Sequence, residues 1–168
     1  MDGEIHSLTA THASDFYTMR KLSGILLIDD DDTTNFLNQR LLDRMEVTRN
    51  IRTFVNGKQA FDYLYNVSNN NYETESKDYF QPELIFLDIN MPVMDGFEML
   101  DLYERLNPEF RKHIVMAVLT TSTHPQDTAS SRKYNADYIT KPLTAEKVNE
   151  LLERHFRHRG ETESQEDV

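Results

Sequence analysis

The chain has 168 residues, a formal net charge of −11 and no cysteine. That length suits one domain with a proper core and is short for two. The missing thiols exclude disulfides and thiolate metal sites and fit a reducing cytoplasm, and the charge argues against nucleic acid, which demands a basic face.

Hydrophobic content of 38% fits a soluble globular protein. No apolar run approaches the roughly 18 residues of a membrane span. The opening stretch carries early acids and lacks the apolar core of a secretory signal, so no membrane partner is expected. Residues 1–21 are unpatterned and read as a flexible N-terminal extension; Met19, followed by "RKLSGILLID", would make a natural start.

Five apolar runs then recur, each followed by a segment with helical spacing: "GILLI" (24–28), "IRTFV" (51–55), "ELIFL" (83–87), "IVMAVL" (114–119) and "ADYIT" (136–140). Three of them are near-continuous runs of large apolar residues, as expected for strands covered on both faces. After the first strand, Leu37, Leu41 and Met45 recur at i, i+4, i+8, and Asp32 stands where a cap suits the helix dipole. Ala60, Leu64 and Val67 form the next stripe, followed by the polar loop at 66–81, which reads as a solvated insertion at the far end of the sheet. Met99, Tyr103 and Leu106 mark a third helix, and the segment from Pro125 to Tyr134 a short polar fourth. Val148, Leu151, Leu152 and His155 mark the last helix, with Gly160 as its terminator. Residues 158–168 are acidic and expected to be disordered. Five βα units in series predict a parallel sheet with helices on both faces.

In such a sheet the ligand crevice lies at the carboxyl ends of the strands. Asp29 and Asp30 follow the first strand, Asp88 the third, Thr120 the fourth and Lys141 the fifth. Four acids in a row, Asp29 to Asp32, would repel one another by roughly 1 kcal/mol per pair at 4 Å even in water. They become tolerable if they hold a divalent cation. Mg²⁺ suits hard oxygen ligands, whereas zinc and copper would want Cys or paired His. Asp88, beside the metal acids and facing a lysine, is placed to attack phosphorus, with Lys141 and the metal stabilising the phosphoryl oxygens. Thr120 has Thr121, Ser122 and Thr123 beside it, so its role could slip by one. The histidines are scattered; His155 reads as a packed or half-exposed helix residue, neither phosphodonor nor ligand.

Together "ILLIDDDDTTNFLNQRLL", "PELIFLDINMPVMDGFEML", "VLTTS" and "ADYITKPL" resemble the receiver domain of bacterial response regulators, across about Leu22 to Phe156. The resemblance implies a (βα)5 doubly wound flavodoxin-like fold with strand order 2-1-3-4-5 and a receiver at 22–157. It implies Asp88 as phosphoacceptor and Asp30 as a direct metal ligand. Asp29 would act mostly through metal-bound water, and the backbone carbonyl of Asn90 would complete the protein ligands of Mg²⁺. Thr120 would hydrogen-bond the phosphoryl group, Lys141 would pair with it, and Tyr138 would be the switch aromatic that moves with Thr120. The peptide before Pro142 is often cis in this family, Pro92 helps turn the loop after Asp88, and Asn90 and Ser122 influence phosphate lifetime. The wording "DINMP" and "LTTS" also resembles single-domain regulators, including those paired with bacterial phytochromes.

The function so implied is signalling rather than enzymatic. A sensor histidine kinase or a phosphotransfer protein donates phosphate to Asp88, and output comes from changed affinity for a protein target or from a relay, with a homodimer as one possible form. The rival is an enzyme, because Asp29 to Thr33 satisfies the D-x-D-x-T pattern of haloacid-dehalogenase-like phosphatases, with Asp29 as nucleophile and Asp31 as general acid. Against it, "KPLTAEKVNELLER" supplies no Asp after the lysine, and no cap domain is evident. A receiver-like module that has lost phosphorylation is disfavoured by the complete set of site residues.

Overall fold

The computed structural model describes residues 20–71, 78–121, 129 and 132–157. Sequence expectations for the N-terminal stretch up to Met19, for Ser122, for most of the 125–134 helix and for Gly160 and the acidic tail lie outside those residues.

Five strands, β1 (Ile25–Ile28), β2 (Ile51–Phe54), β3 (Leu84–Asp88), β4 (Val115–Thr120) and β5 (Asp137–Thr140), form one parallel sheet in the order β2-β1-β3-β4-β5. Every residue of β1 and β3 is buried, as their unbroken apolar sequences require. Alternate residues feed two cores. Leu26, Ile28, Ile85, Leu87 and Val118 pack with Ala60, Leu64 and Val67 of α2 (Gly57–Ser68) and with Met99, Leu100 and Tyr103 of α3 (Gly96–Tyr103). On the other face, Ile25, Leu27, Leu84, Phe86, Ala117 and Leu119 pack with Leu42 of α1 (Asp32–Met45) and with Val148, Leu151 and Leu152 of the last helix, α5 (Ala145–Phe156). A one-turn helix, α4 (Pro108–Arg111), precedes β4; it starts on Asn107, whose side chain accepts from the Glu109 amide, with Pro108 at the first helical position.

Three expectations need correction. The most buried face of α1 is Asn35, Asn38 and Leu42; of the expected stripe, Leu41 and Met45 are half-buried against the core, whereas Leu37, like Phe36, is about 60% exposed. Asn35 replaces apolar packing with hydrogen bonds, its side-chain amide donating to the carbonyls of Asp29 (2.8 Å) and Phe54 (3.1 Å) and tying β1 to β2. The cap of α1 is Asp31 rather than Asp32: the Asp31 carboxylate accepts from the Thr33 amide and the Thr34 hydroxyl, both at 2.9 Å. Finally, the return leg of the 66–81 loop is packed. Tyr63 donates its hydroxyl to the Phe80 carbonyl (2.8 Å) and accepts from the Phe80 amide (2.9 Å), and its ring stacks on Tyr79 with centroids 5.3 Å apart. The Arg52 guanidinium lies over the Tyr63 ring and donates to the Asp78 carbonyl. At the N-terminal edge, Arg20 forms a two-pronged ion pair with Glu83.

Candidate functional site

The carboxyl ends of β1, β3, β4 and β5 meet in one cleft. Asp88 is the last residue of β3 and Thr120 the last of β4, each one position earlier than a loop placement would have them. Being within the ladder, their backbones are fixed by the same hydrogen bonds that build the sheet. Ligand oxygens of Asp29, Asp30 and Asp88 lie within 4.8 Å of one another, with Asp29 and Asp88 buried and Asp30 exposed. Lys141, carried from β5, points its ammonium into this group at 2.7 Å from Asp29 Oδ2 and 3.2 Å from Asp88 Oδ1. Its backbone is anchored too, since the Lys141 amide donates to the Thr120 carbonyl at 2.8 Å.

These charges act on one another through little water. Burial and the neighbouring Asp29 carboxylate push Asp88 up from 3.8 to about 6, against the opposing pull of Lys141. For Lys141, burial alone would lower the pKa, but hydrogen bonding and attraction from Asp29 and Asp88 outweigh it and hold the ammonium above the usual lysine range. The second oxygen of Asp29 accepts the Asp31 amide at 2.9 Å, which fixes the plane of that carboxylate. The set offers only hard oxygen donors, three of them anionic, and fits a divalent cation of the Mg²⁺ kind.

Thr120 is wholly buried at the end of β4, next to Asp88 across the β3–β4 ladder, where Asp88 pairs with Leu119. Tyr138 is half-buried on β5 and pairs with Val118 two residues before Thr120. The Lys141–Pro142 peptide is cis. Asn90 follows Asp88, its amide 3.4 Å from Asp88 Oδ1. His155 is half-exposed and bound to Asp137 near the start of β5, far along the strand from the cleft, as a helix residue without a place in the site.

The loop leaving β3 is tightly folded. Gly96 opens α3 directly against the acid: a Cβ there would stand 2.6 Å from the Asp88 carbonyl oxygen and 2.8 Å from Ile89 Cα. Asp95 caps the helix, its carboxylate accepting the Glu98 amide (2.8 Å) while Glu98 accepts the Asp95 amide (2.9 Å). Between Asp88 and Asp95, Val93 holds a left-handed backbone, φ 71°, with its side chain 91% exposed, and the Met94 amide donates to the Pro92 carbonyl at 2.9 Å in a γ-turn. Gly96→Ala is expected to displace the Asp88 backbone and to destabilise the protein by about 1–3 kcal/mol, measured by urea unfolding.

Sequence reasoning missed Asn35 and Lys147. Lys147 donates to the carbonyls of Thr140 (2.6 Å) and Pro142 (2.9 Å), on either side of Lys141. It could have been noticed as a cation in the first turn of a helix, where the dipole disfavours positive charge.

The rival phosphatase reading requires Asp31 as a general acid. Asp31 instead caps α1, and hydrogen bonds from Thr34 and Thr33 hold it below the usual carboxylate range, the wrong direction for a proton donor.

Comparison with known proteins points one way. The family model described as the response regulator receiver domain matches residues 25–153. The probable methanogenesis regulatory protein FilR2 of Methanothrix harundinacea is 33% identical over 77% of this chain and 78% of its own length. A two component response regulator from Cytophaga hutchinsonii has a crystal structure that superposes with a TM-score of 0.69 at 31% identity, over 80% of this chain and 97% of that one. The bacteriophytochrome response regulator RtBRR superposes at 0.61 with 26% identity, over 77% of this chain and 75% of that one. The phosphatase alternative finds no support among these relatives. Sheet order, acid cleft and relatives agree: the chain belongs to the response regulator receiver domain family, the signalling modules of two-component systems.

Proposed function

We propose that the protein receives a phosphoryl group on Asp88 from a phosphohistidine of a sensor kinase or phosphotransfer protein. The observation that carries this reading is the convergence of three carboxylates within 4.8 Å around an ammonium 2.7 and 3.2 Å from two of them. Asp88 is the nucleophile because it is buried, stands at the end of the central strand and faces the lysine; above pH about 6 its carboxylate is charged and able to attack.

Asp30, Asp88 and the backbone carbonyl of Asn90 are the direct ligands we assign to Mg²⁺, with Asp29 acting mostly through metal-bound water. When bound, the ion neutralises phosphoryl oxygen charge. Lys141 pairs with the same group from the other side, and the Thr120 hydroxyl donates to it. Tyr138, two residues along the neighbouring strand, follows Thr120 and changes the surface of β4, β5 and α5. Affinity for a partner protein, or for a second copy, changes with it. The receiver is read as residues 22–157, and its likeness to the bacteriophytochrome regulator supports a role of that type. No described helix is long and apolar enough to cross a membrane.

Acetyl phosphate with Mg²⁺ is expected to add one phosphate to the wild type, read by intact mass, and none to Asp88→Asn. Equal labelling of the two proteins, or labelling undiminished by EDTA, refutes the assignment.

A further inference from the structure

The charge of Lys147 sits where helix physics disfavours it. Lys147 occupies the first turn of α5, three residues after the cap Thr144, where amide groups already point outward and carboxylates are favoured. Among the described residues its ammonium pairs with no carboxylate, although Glu150 lies one turn further along the helix. It reaches back instead to two backbone oxygens, Thr140 at 2.6 Å and Pro142 at 2.9 Å. Those carbonyls flank Lys141, the residue whose ammonium bridges Asp29 and Asp88.

Beyond the burial of Leu143, this loop has few other ties among the described residues. Proline has no amide to donate, and the Lys141 amide is already committed to the Thr120 carbonyl at 2.8 Å. The Lys141 side chain must cross from β5 to reach β1 and β3, so a small rotation of its backbone is magnified at the ammonium. Two charge-assisted hydrogen bonds, one on the peptide entering Lys141 and one on the peptide leaving Pro142, restrict that rotation.

We infer that Lys147 is a positioning residue: by clamping the carbonyls of Thr140 and Pro142 it sets the Lys141 ammonium at the distance from Asp88 that phosphoryl transfer uses. The inference rests on the role proposed for Lys141 above. Lys147 itself touches no reacting atom; its effect passes through Lys141. Arginine is long enough to reach and carries several donors, so it can restore the clamp, whereas methionine keeps the stem and removes the donors.

The test uses the full chain and two independent readouts. The first needs no phosphorylation. In ¹H–¹⁵N spectra of lysine ammonium groups, Lys141 should give a protected signal in the metal-free wild type, because its protons are engaged by Asp29 and Asp88. That signal should broaden or vanish in Lys147→Met and return in Lys147→Arg. The second is a double-mutant cycle on the rate of Asp88 labelling by acetyl phosphate with Mg²⁺. Lys147→Met should slow labelling roughly tenfold in the wild-type background, as expected for a modest misplacement of a catalytic group, and have no further effect in Lys141→Met. A general loss of stability would slow both backgrounds equally and would leave Lys147→Arg as impaired as Lys147→Met; either result overturns the inference, as does an unchanged Lys141 signal in Lys147→Met. If the wild type takes no phosphate on Asp88, the proposed function fails on its own, and the ammonium spectrum still decides whether Lys147 positions Lys141.

Discussion

Lys141→Met is expected to cost the metal-free protein about 3 kcal/mol of stability at pH 8 and to slow phosphorylation of Asp88 at least about a hundredfold. The ammonium is the shared counter-charge of two buried carboxylates, at 2.7 Å from Asp29 and 3.2 Å from Asp88. Taking one partner from a buried cluster leaves uncompensated charge, which is the expensive way to break it. The Lys141 side chain is 20% exposed, so some water reaches the gap and the lower end of the usual range applies. The loss should depend on pH. Asp88 is charged only above about 6, so at pH 5 Lys141 has mainly Asp29 to neutralise and the deficit is smaller. Urea unfolding of both proteins at pH 5 and pH 8 checks this, and equal losses at the two values would contradict it. Millimolar Mg²⁺ should raise the Tm of the variant more than that of the wild type, since a cation meets a less neutralised pair of acids once the lysine is gone.

Asp88→Asn should stabilise the metal-free protein even as it abolishes labelling. The folded-state pKa of Asp88, about 6, lies above its ordinary 3.8, because burial and Asp29 both oppose its charge. For a carboxyl whose pKa is raised on folding, the folded state holds the proton more tightly than the unfolded state. The fold therefore loses stability as pH rises from about 4 through 6, and the penalty is complete above that range. Asparagine keeps the shape and removes the charge, so the variant should gain about 1–2 kcal/mol at pH 8, the raised pKa being already net of the attraction to Lys141. At pH 4 the two proteins should be nearly equal. A variant less stable than wild type at pH 8 would mean that Lys141 and hydrogen bonding more than offset the repulsion.

The strands and the site were legible because the signals were local and redundant. "GILLI" and "ELIFL" read as short strands buried on both faces, which puts the acids directly after them at the sheet's carboxyl edge. What the pattern concealed was burial by polar groups. α1 shows Leu37, Leu41 and Met45 at helical spacing, yet its inward face carries Asn35 and Asn38, because Asn35 joins β1 to β2 by hydrogen bonds that hydropathy cannot register. The cap of α1 was misplaced by one residue for a similar reason: in a run of four acids, only backbone geometry singles out Asp31. Tyr79 and Phe80 were hidden inside a loop judged by its Asn and acid content, although their rings pack against Tyr63 and the core. α4 went unread, because a single turn is too short for periodicity to reveal, although Asn107 followed by Pro108 is a helix-start signal. Lys147 left one trace, a cation in the first turn of a helix, but its acceptors are carbonyls, which no side-chain pattern distinguishes.

The γ-turn after Asp88 has a bearing on how this protein should be engineered. A β-branched residue at φ 71° stores backbone strain of about 1–3 kcal/mol, and the Val93 side chain, 91% exposed, recovers little of it through packing. The repulsive acids lie a few residues away. Selection of a mutant library for heat resistance alone would therefore reward relaxed turns and neutralised carboxylates, and its hardiest survivors would be those least able to carry a signal.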